Sequence, residues 1–263
     1  MPELPDVAVY KRYFDSTALH QSIADAVVLD DQLLDGTSAA TVRRALRGAA
    51  FEATRRHGKH LFARLSTGRW LALHFGMTGS LQYYKRADTA PEYGYFRVDF
   101  DNGYHLALVV PRKLGRVRII DDPDAFVEAH DLGPDALALD VQTFKARLDG
   151  RRGLVKSALM DQGVIAGLGN IYADEVLFQA GIHPRTQVSA LDDEALSSLF
   201  DAMREVLDVA IDGKADPEAL PADRFMLPHR QGDQRDPYSG VPLEKVTVSG
   251  RTGYYSPARQ PPP

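Results

Sequence analysis

Between residues 49 and 120 apolar and polar positions alternate with a period of two. Leu61, Ala63 and Leu65 are spaced by Phe62 and Arg64, and Phe96, Val98 and Phe100 alternate with Arg97, Asp99 and Asp101. Such spacing predicts strands that turn one face to a core. Asn102-Gly103, lying between Phe96-to-Asp101 and Tyr104-to-Val110, predicts a tight hairpin turn with positive φ at both residues, so neighbouring strands run antiparallel. A β-sandwich or barrel is the expected product. After Asp121-Asp122-Pro123-Asp124 the period changes. Leu196, Leu199, Phe200, Met203, Leu207 and Ala210 recur at helical spacing between Ser189, the expected N-cap, and Gly213. Pro and Gly recur from 214 to 243. Lys245 to Val248 and Thr252 to Tyr255 then predict a terminal hairpin turning through Ser249-Gly250-Arg251, with Val246 and Val248 facing Tyr254. The fold class is α+β in three parts: an N-terminal β-sandwich over 1–122, a helical region over 123–214, and a linker with hairpin over 215–263. No internal repeat is present, and Pro261-Pro262-Pro263 is expected to fray.

The chain has 263 residues, 44% hydrophobic and 25% charged, with no cysteine. This composition supports one large or two small cores and excludes intrinsic disorder, a collagen and a disulfide scaffold. It also excludes a thiolate nucleophile and cysteine-ligated zinc. No run approaches the roughly 18–20 apolar residues of a membrane span, and Met1-Pro2-Glu3-Leu4-Pro5-Asp6 is neither basic nor apolar as a secretion signal requires. A cytoplasmic protein without a membrane partner is expected. The net charge of −5 argues against a nucleic-acid partner until its distribution is read. Residues 41–120 carry 15 basic and 5 acidic side chains, whereas 121–150 carry 2 and 8. One region is therefore a candidate anion-binding face, with solvated strand arginines as the plainer alternative.

Removal of Met1 ahead of the small Pro2 leaves a secondary amine at the terminus. Terminal amines titrate near ~8, so a useful fraction is unprotonated at neutral pH. Such an amine condenses with an aldehyde carbon to an iminium, and Glu3 beside it can relay protons. Met-Pro starts are common, and an inert terminus is the alternative.

Pro2-Glu3-Leu4-Pro5-Asp6-Val7 resembles the amino terminus of the formamidopyrimidine-DNA glycosylase and endonuclease VIII family. Further segments are similar to family segments in the same order: Arg56-His57-Gly58-Lys59-His60-Leu61, His74-Phe75-Gly76-Met77-Thr78-Gly79, Pro111-Arg112-Lys113-Leu114-Gly115, Gly167-Leu168-Gly169-Asn170-Ile171-Tyr172-Ala173-Asp174-Glu175 and Gly250-Arg251-Thr252-Gly253-Tyr254-Tyr255. The resemblance thus spans nearly the whole chain. It implies a bifunctional DNA glycosylase/AP lyase of base excision repair, which removes an oxidised base and cuts the strand by β,δ-elimination. In that reading Pro2 attacks C1′ of the flipped nucleotide, Glu3 protonates the opening sugar, and Lys59, at the start of a strand, contacts phosphate and assists elimination.

Asn170 is the expected N-cap within a helix-two-turn-helix motif from about Leu154 to Gln179, and in the family it grips the phosphate beside the lesion together with neighbouring amides. The resemblance also implies phosphate or lesion-side contacts from Lys156 and Tyr172. Glu175 would hold Pro2 or the opened sugar, a first-turn carboxylate serving the helix dipole being the plainer reading. Met77 and Arg112 match residues that fill the void left by the flipped base. Leu114 stands where the formamidopyrimidine branch has Phe, which weakens stacking on the opposite base.

The family commonly ends in a four-cysteine zinc finger, and Asp236, Ser239, Ser256 and Arg259 occupy the four ligand positions here. No metal and no other cofactor are therefore expected. Arg251, which the family uses on the lesion phosphates, would sit at the turn of a zinc-less hairpin. The expected partner is double-stranded DNA with an oxidised base or abasic site, bound by a monomer in the cleft between its domains. Two rival readings stay open. One is a damaged-DNA-binding protein without catalysis, against which Pro2, Glu3 and Lys59 stand. The other is an endonuclease VIII-like enzyme for oxidised pyrimidines, because the segment from Ala215 to Gln234 does not match the formamidopyrimidine branch's lesion-covering loop, although Leu4 favours that branch.

Overall fold

The computed structural model describes residues 1–85, 89–230 and 232–263, so Gln231, inside the 215–234 segment, lies outside the described residues. The chain divides into two compact units, Met1–Pro2 with Asp6–His130, and Glu3–Pro5 with Asp131–Pro263.

The first unit is an antiparallel β-sandwich. One sheet contains β1 (Ile23–Val28), β5 (Ser80–Tyr84), β6 (Phe96–Phe100) and β7 (His105–Val109) in the order β1-β6-β7-β5. The other contains β2 (Phe51–His57), β3 (His60–Leu65), β4 (Trp70–His74) and β8 (Arg116–Ile120) in the order β2-β3-β4-β8. Leu61, Ala63, Leu73 and Val117 from one sheet share a buried core with Ile23, Val98, Phe100 and Leu106 from the other. Helix α1 (Leu4–Thr17) adds Val7 and Phe14, and Phe14 meets Phe51 edge-on at 4.9 Å between ring centroids. Truncating such a fully buried ring to Ala costs about 3–5 kcal/mol. Helix α2 (Ala39–Leu46) buries Val42 and Leu46 and is capped by Ser38, whose hydroxyl accepts the Thr41 N–H. Helix α3 (Pro123–Ala129) starts where the sequence period changes, with Asp122 accepting the N–H groups of Asp124 and Ala125.

Two expectations are corrected in this unit. At the β6–β7 turn only Gly103 has positive φ, 79°; Asn102 instead accepts the Tyr104 N–H through its side chain, so the turn is wider than a two-residue one. Phe62 is fully buried although its neighbours alternate. Its face of β3 is covered by Phe126 of α3, with ring centroids 5.5 Å apart.

The second unit contains α4 (Val141–Leu148), α5 (Val155–Met160), α6 (Asn170–Gln179) and α7 (Asp193–Asp212), followed by the hairpin β9 (Glu244–Val248) and β10 (Arg251–Tyr255). Helix α6 is its axis: every residue from Tyr172 to Phe178 is buried. The Gln162 side chain closes the linker between α5 and α6, donating to the Met160 and Leu168 carbonyls and accepting the Gly167 N–H. Helix α7 is capped by Asp192 through the Ala195 N–H, three residues beyond the expected Ser189, which lies in a short 3-10 turn. An Asp at this point supplies a charge as well as an acceptor to the helix N-terminus.

The hairpin turn is also shorter than expected. Ser249 and Gly250 both take positive φ, 49° and 70°, as a two-residue turn matched to strand twist demands. Arg251 therefore begins β10, opposite Val248. This register sends Tyr254 to the far face, opposite Lys245, and it is Tyr255 that clusters with Val246 and Val248. No helix among the described residues is long and apolar enough to cross a membrane.

Candidate active site and nucleic-acid interface

Glu3 is 1% exposed and its carboxylate caps α6. It accepts the N–H groups of Gly169 at 2.6 Å, Ile171 at 2.9 Å and Tyr172 at 3.3 Å. The first turn of a helix has unpartnered donors and a positive dipole end, which explains why a carboxylate rests there. Leu4 adds a backbone bond, its N–H donating to the Gly167 carbonyl at 3.0 Å. The two glycines make this approach possible. A Cβ at Gly167 would lie 2.5 Å from Leu4 Cδ1, and one at Gly169 would lie 2.5 Å from the Glu3 carboxyl carbon.

Asn170 is thus the first residue of α6 and not its cap; Gly169 occupies that position. The Asn170 amide donates to the Thr252 carbonyl of β10 at 2.9 Å, while its Oδ1 is buried without a hydrogen-bond partner. This bond ties the start of α6 to the strand that carries the exposed Arg251. Pro2 is buried, with Met1 exposed ahead of it.

Two residues expected at the DNA surface lie inside the unit. Lys156 is fully buried, its Nζ 2.6 Å from Asp174 Oδ1 at ion-pair distance but without hydrogen-bond alignment. Arg230 approaches the other Asp174 oxygen at 3.3 Å, and the Tyr254 N–H donates to it at 3.1 Å. Burial pushes the Asp174 carboxyl up, against the two cations that favour its ionised form. The Tyr172 ring is only 4% exposed. Glu175 lies in the second turn of α6, too far along for the dipole reading. It is fully buried and accepts the backbone N–H groups of Met226 and Leu227 and the Gln179 side-chain amide.

In the first unit, Lys59 is 7% exposed and sits in the two-residue turn between β2 and β3, one residue before the strand. The register places His57 opposite His60 and His60 opposite His74, which itself faces Arg116. A row of imidazoles therefore crosses the sheet beside Lys59. Burial, reinforced by the neighbouring imidazoles, lowers His60 to about 3; burial and the Lys59 charge lower His74 to about 4. Both rings are neutral at physiological pH. Sequence reading missed this row, whose signal was the joint placement of Arg56-to-Leu61 and His74-to-Gly79 on adjacent strands.

Gly76, next to Met77, packs against the backbone of Leu114. A Cβ at Gly76, φ 62°, would lie 2.5 Å from the Leu114 carbonyl carbon. Leu114 keeps 42% of its surface exposed, Arg112 is exposed and Met77 is half-buried, so Leu114 and Arg112 are not core residues.

The four positions aligned with zinc ligands do not fit a zinc ion. The Ser256 hydroxyl donates to Asp236 Oδ2, and Asp236 Oδ1 accepts the Tyr238 N–H at 2.8 Å and the Ser239 N–H at 3.3 Å. Arg259 brings a positive charge; it donates to the Phe178 and Gln179 carbonyls and lies over the Tyr238 ring at 4.5 Å. Gln260 closes the set, accepting the Ser256 N–H and donating to the Ile182 carbonyl. Among the described residues no three His, Cys, Asp or Glu side chains gather as a metal site.

Residues 1–117 match the formamidopyrimidine-DNA glycosylase N-terminal domain and residues 132–218 the formamidopyrimidine-DNA glycosylase H2TH domain. A formamidopyrimidine-DNA glycosylase of Arabidopsis thaliana is 30% identical over 276 residues, covering 99% of this chain and 71% of that protein. One from Chloroflexus aurantiacus is 32% identical over 275 residues, covering 99% and 98%. Among solved structures, a Lactococcus lactis FPG mutant in complex with Fapy-dG-containing DNA superposes with a TM-score of 0.90 at 24% identity, covering 99% of this chain and all of that one. Two domain matches in order and relatives similar over 99% of this chain lead to one conclusion: the chain belongs to the formamidopyrimidine-DNA glycosylase family of base-excision-repair enzymes.

Proposed function

We propose that the protein excises an oxidised base from double-stranded DNA and then cleaves the strand, with the Pro2 amine as nucleophile. Once Met1 is removed, the Pro2 nitrogen attacks C1′ of the flipped nucleotide and the base departs with its bonding pair, taking up a proton. Glu3 delivers a proton to the ring oxygen as the C1′–O4′ bond breaks, leaving an iminium between Pro2 and C1′. The iminium acidifies the C2′ proton; its loss expels the 3′ phosphate, and a second elimination expels the 5′ phosphate. Water then releases the sugar fragment from the amine.

The observation that carries this reading is the seat of Glu3 on the amides of α6. It fixes the residue next to the nucleophile in a site that shares its helix with Asn170. Asn170 and Arg251 are assigned to the phosphates at the lesion, Lys59 to a phosphate and to elimination, and Met77, Arg112 and Leu114 to the vacated stack. No metal takes part, and the hydrogen-bonded set around Asp236 and Ser256 holds the hairpin in place of zinc.

The test is borohydride reduction during turnover on duplexes carrying an abasic site, 8-oxoguanine, a formamidopyrimidine or an oxidised pyrimidine. A reduced iminium leaves protein covalently bound to DNA. Trapping that persists with an extra residue held in front of Pro2 removes the amine from the mechanism. Selective binding without a trap on any substrate leaves a damage-binding protein instead.

A further inference from the structure

Lys113 lies between Arg112 and Leu114, and the reading above gives a task only to its neighbours. Its backbone has φ 53°, a left-handed conformation that a residue with a long side chain adopts only where its surroundings impose it. Three contacts do so. The Lys113 ammonium is 2.7 Å from Asp30 Oδ2, it stands over the Tyr95 ring at 4.8 Å from the centroid, and the Lys113 N–H donates to the Val110 carbonyl at 2.8 Å. Both partners are themselves held. Asp30 caps the 3-10 turn that follows β1 by accepting the Gln32 N–H, and the Tyr95 carbonyl accepts the Leu29 N–H at 2.7 Å. The end of β1, the start of β6 and the loop after β7 therefore meet at one lysine.

We infer that Lys113 is the positioning residue of the void-filling loop: clamped by Asp30 and Tyr95, it fixes the left-handed turn that leaves Arg112 and Leu114 exposed on either side. The role of the loop rests on the function proposed above; the clamp itself does not. A loop already in its working shape has less conformational freedom to lose when it enters the duplex. The clamp therefore favours damaged sites, where entry completes, over intact duplex, where binding stops at the backbone.

Lys113 keeps 40% of its side chain exposed, so the competing use is a plain phosphate contact. The two uses differ in what they change. A phosphate ligand acts alike on intact and damaged DNA and contributes about 0.9 to the slope of log affinity against log salt.

The decisive variants are Lys113→Gly, which takes the left-handed backbone without strain but lacks the clamp, and Asp30→Asn, which keeps the turn cap and removes the counter-charge. In the free protein, amide exchange at residues 112–115 should quicken in both. On DNA, both should lose about tenfold of the preference for a duplex with an abasic analogue over an intact one, with the salt slope unchanged. Lys113→Arg should restore part of it. Exchange in the wild type as fast as in the variants overturns the clamp whatever the DNA does. Equal losses on both duplexes with a shallower slope for Lys113→Gly, and no effect of Asp30→Asn, make Lys113 a phosphate ligand. If exchange responds as expected while the wild type neither prefers damage nor traps, the functional reading fails and the clamp stands.

Discussion

The Glu175 carboxylate accepts the Leu227 N–H at 2.8 Å from a fully buried position, so one side chain of α6 holds a backbone segment 52 residues further along. Burial pushes this carboxyl from 4.5 up to about 7, with its hydrogen-bond donors opposing. The folded state then binds the proton more tightly than the unfolded chain. This stabilising contribution is complete below about pH 4.5 and is lost as the pH rises through 7. A shift of this size corresponds to about 3 kcal/mol. Glu175→Gln should depend less on pH between 5 and 8, at a pH-independent cost of about 1–3 kcal/mol because its NH2 faces one of the two backbone N–H donors. Parallel urea-unfolding curves for the two proteins across that range would rule this out.

His60 and His74 act with the opposite sign. Their folded values of about 3 and about 4 lie below 6.5, so the unfolded chain takes up protons first. Stability from both is present above pH 6.5 and is lost as the pH falls toward 4. Each shift corresponds to roughly 3–5 kcal/mol, with mutual repulsion making the pair non-additive. His60→Phe, beside Phe62 and Phe126, should lower the midpoint of acid unfolding by about one pH unit, followed by circular dichroism. An unmoved midpoint would assign acid sensitivity to other groups.

Gly169→Ala tests the Glu3 seat without touching Glu3. The new methyl meets the carboxylate and must displace it from the α6 amides. We expect base excision to fall by about a hundredfold or more, on the scale of a displaced catalytic acid, with a stability loss of about 1–2 kcal/mol from the broken cap. Excision at the wild-type rate would remove Glu3 from the chemistry.

Affinity for damaged duplex should fall steeply with salt despite the net charge of −5. Lys59→Ala and Arg251→Ala should each reduce the slope by about 0.9, one phosphate apiece. Met77→Ala should keep the slope and lose selection of damaged over intact DNA, because a wedge acts after docking. Filter binding between low and physiological salt distinguishes these; identical slopes in all four proteins would contradict the phosphate assignments.

Prolonged chelation should leave strand cleavage unchanged, and metal analysis should find no stoichiometric zinc. Asp236→Ala, by contrast, strands the buried Ser256 hydroxyl and the amides of Tyr238 and Ser239. A loss of about 1–3 kcal/mol is expected for such an unpartnered set, with the hairpin exchanging its amides first. Inactivation by chelator would call for a metal site that this hydrogen-bonded set does not provide.

The sandwich was legible because β6 has one buried face, which writes itself as strict alternation. Phe62 broke the pattern because α3, more than 60 residues away, covers the second face of β3. Asn170 read as a cap because Asn before an apolar run usually is one. The cap position belongs to Gly169 and the accepting carboxylate to Glu3, and nothing local to residue 170 announces a carboxylate from the start of the chain. Lys156 and Asp174 look like surface charges one at a time, and only the tertiary pairing of two buried charges explains them. The final hairpin turns through Ser249 and Gly250 alone, one residue fewer than the sequence suggests, and that single step puts Tyr255 in place of Tyr254 on the packed face.

The bonds from Glu3 to the start of α6 span 166 to 169 residues of sequence, well over half the length of the chain. On the ribosome Glu3 emerges at the outset and its partners emerge only when almost two thirds of the polypeptide has been made. Until then the Glu3 carboxylate has no helix terminus to cap. The β-sandwich can close on its own contacts as it leaves the exit tunnel, but Glu3 must wait for a helix not yet synthesised. The seat of a residue made third is thus finished only when the second unit is partly built.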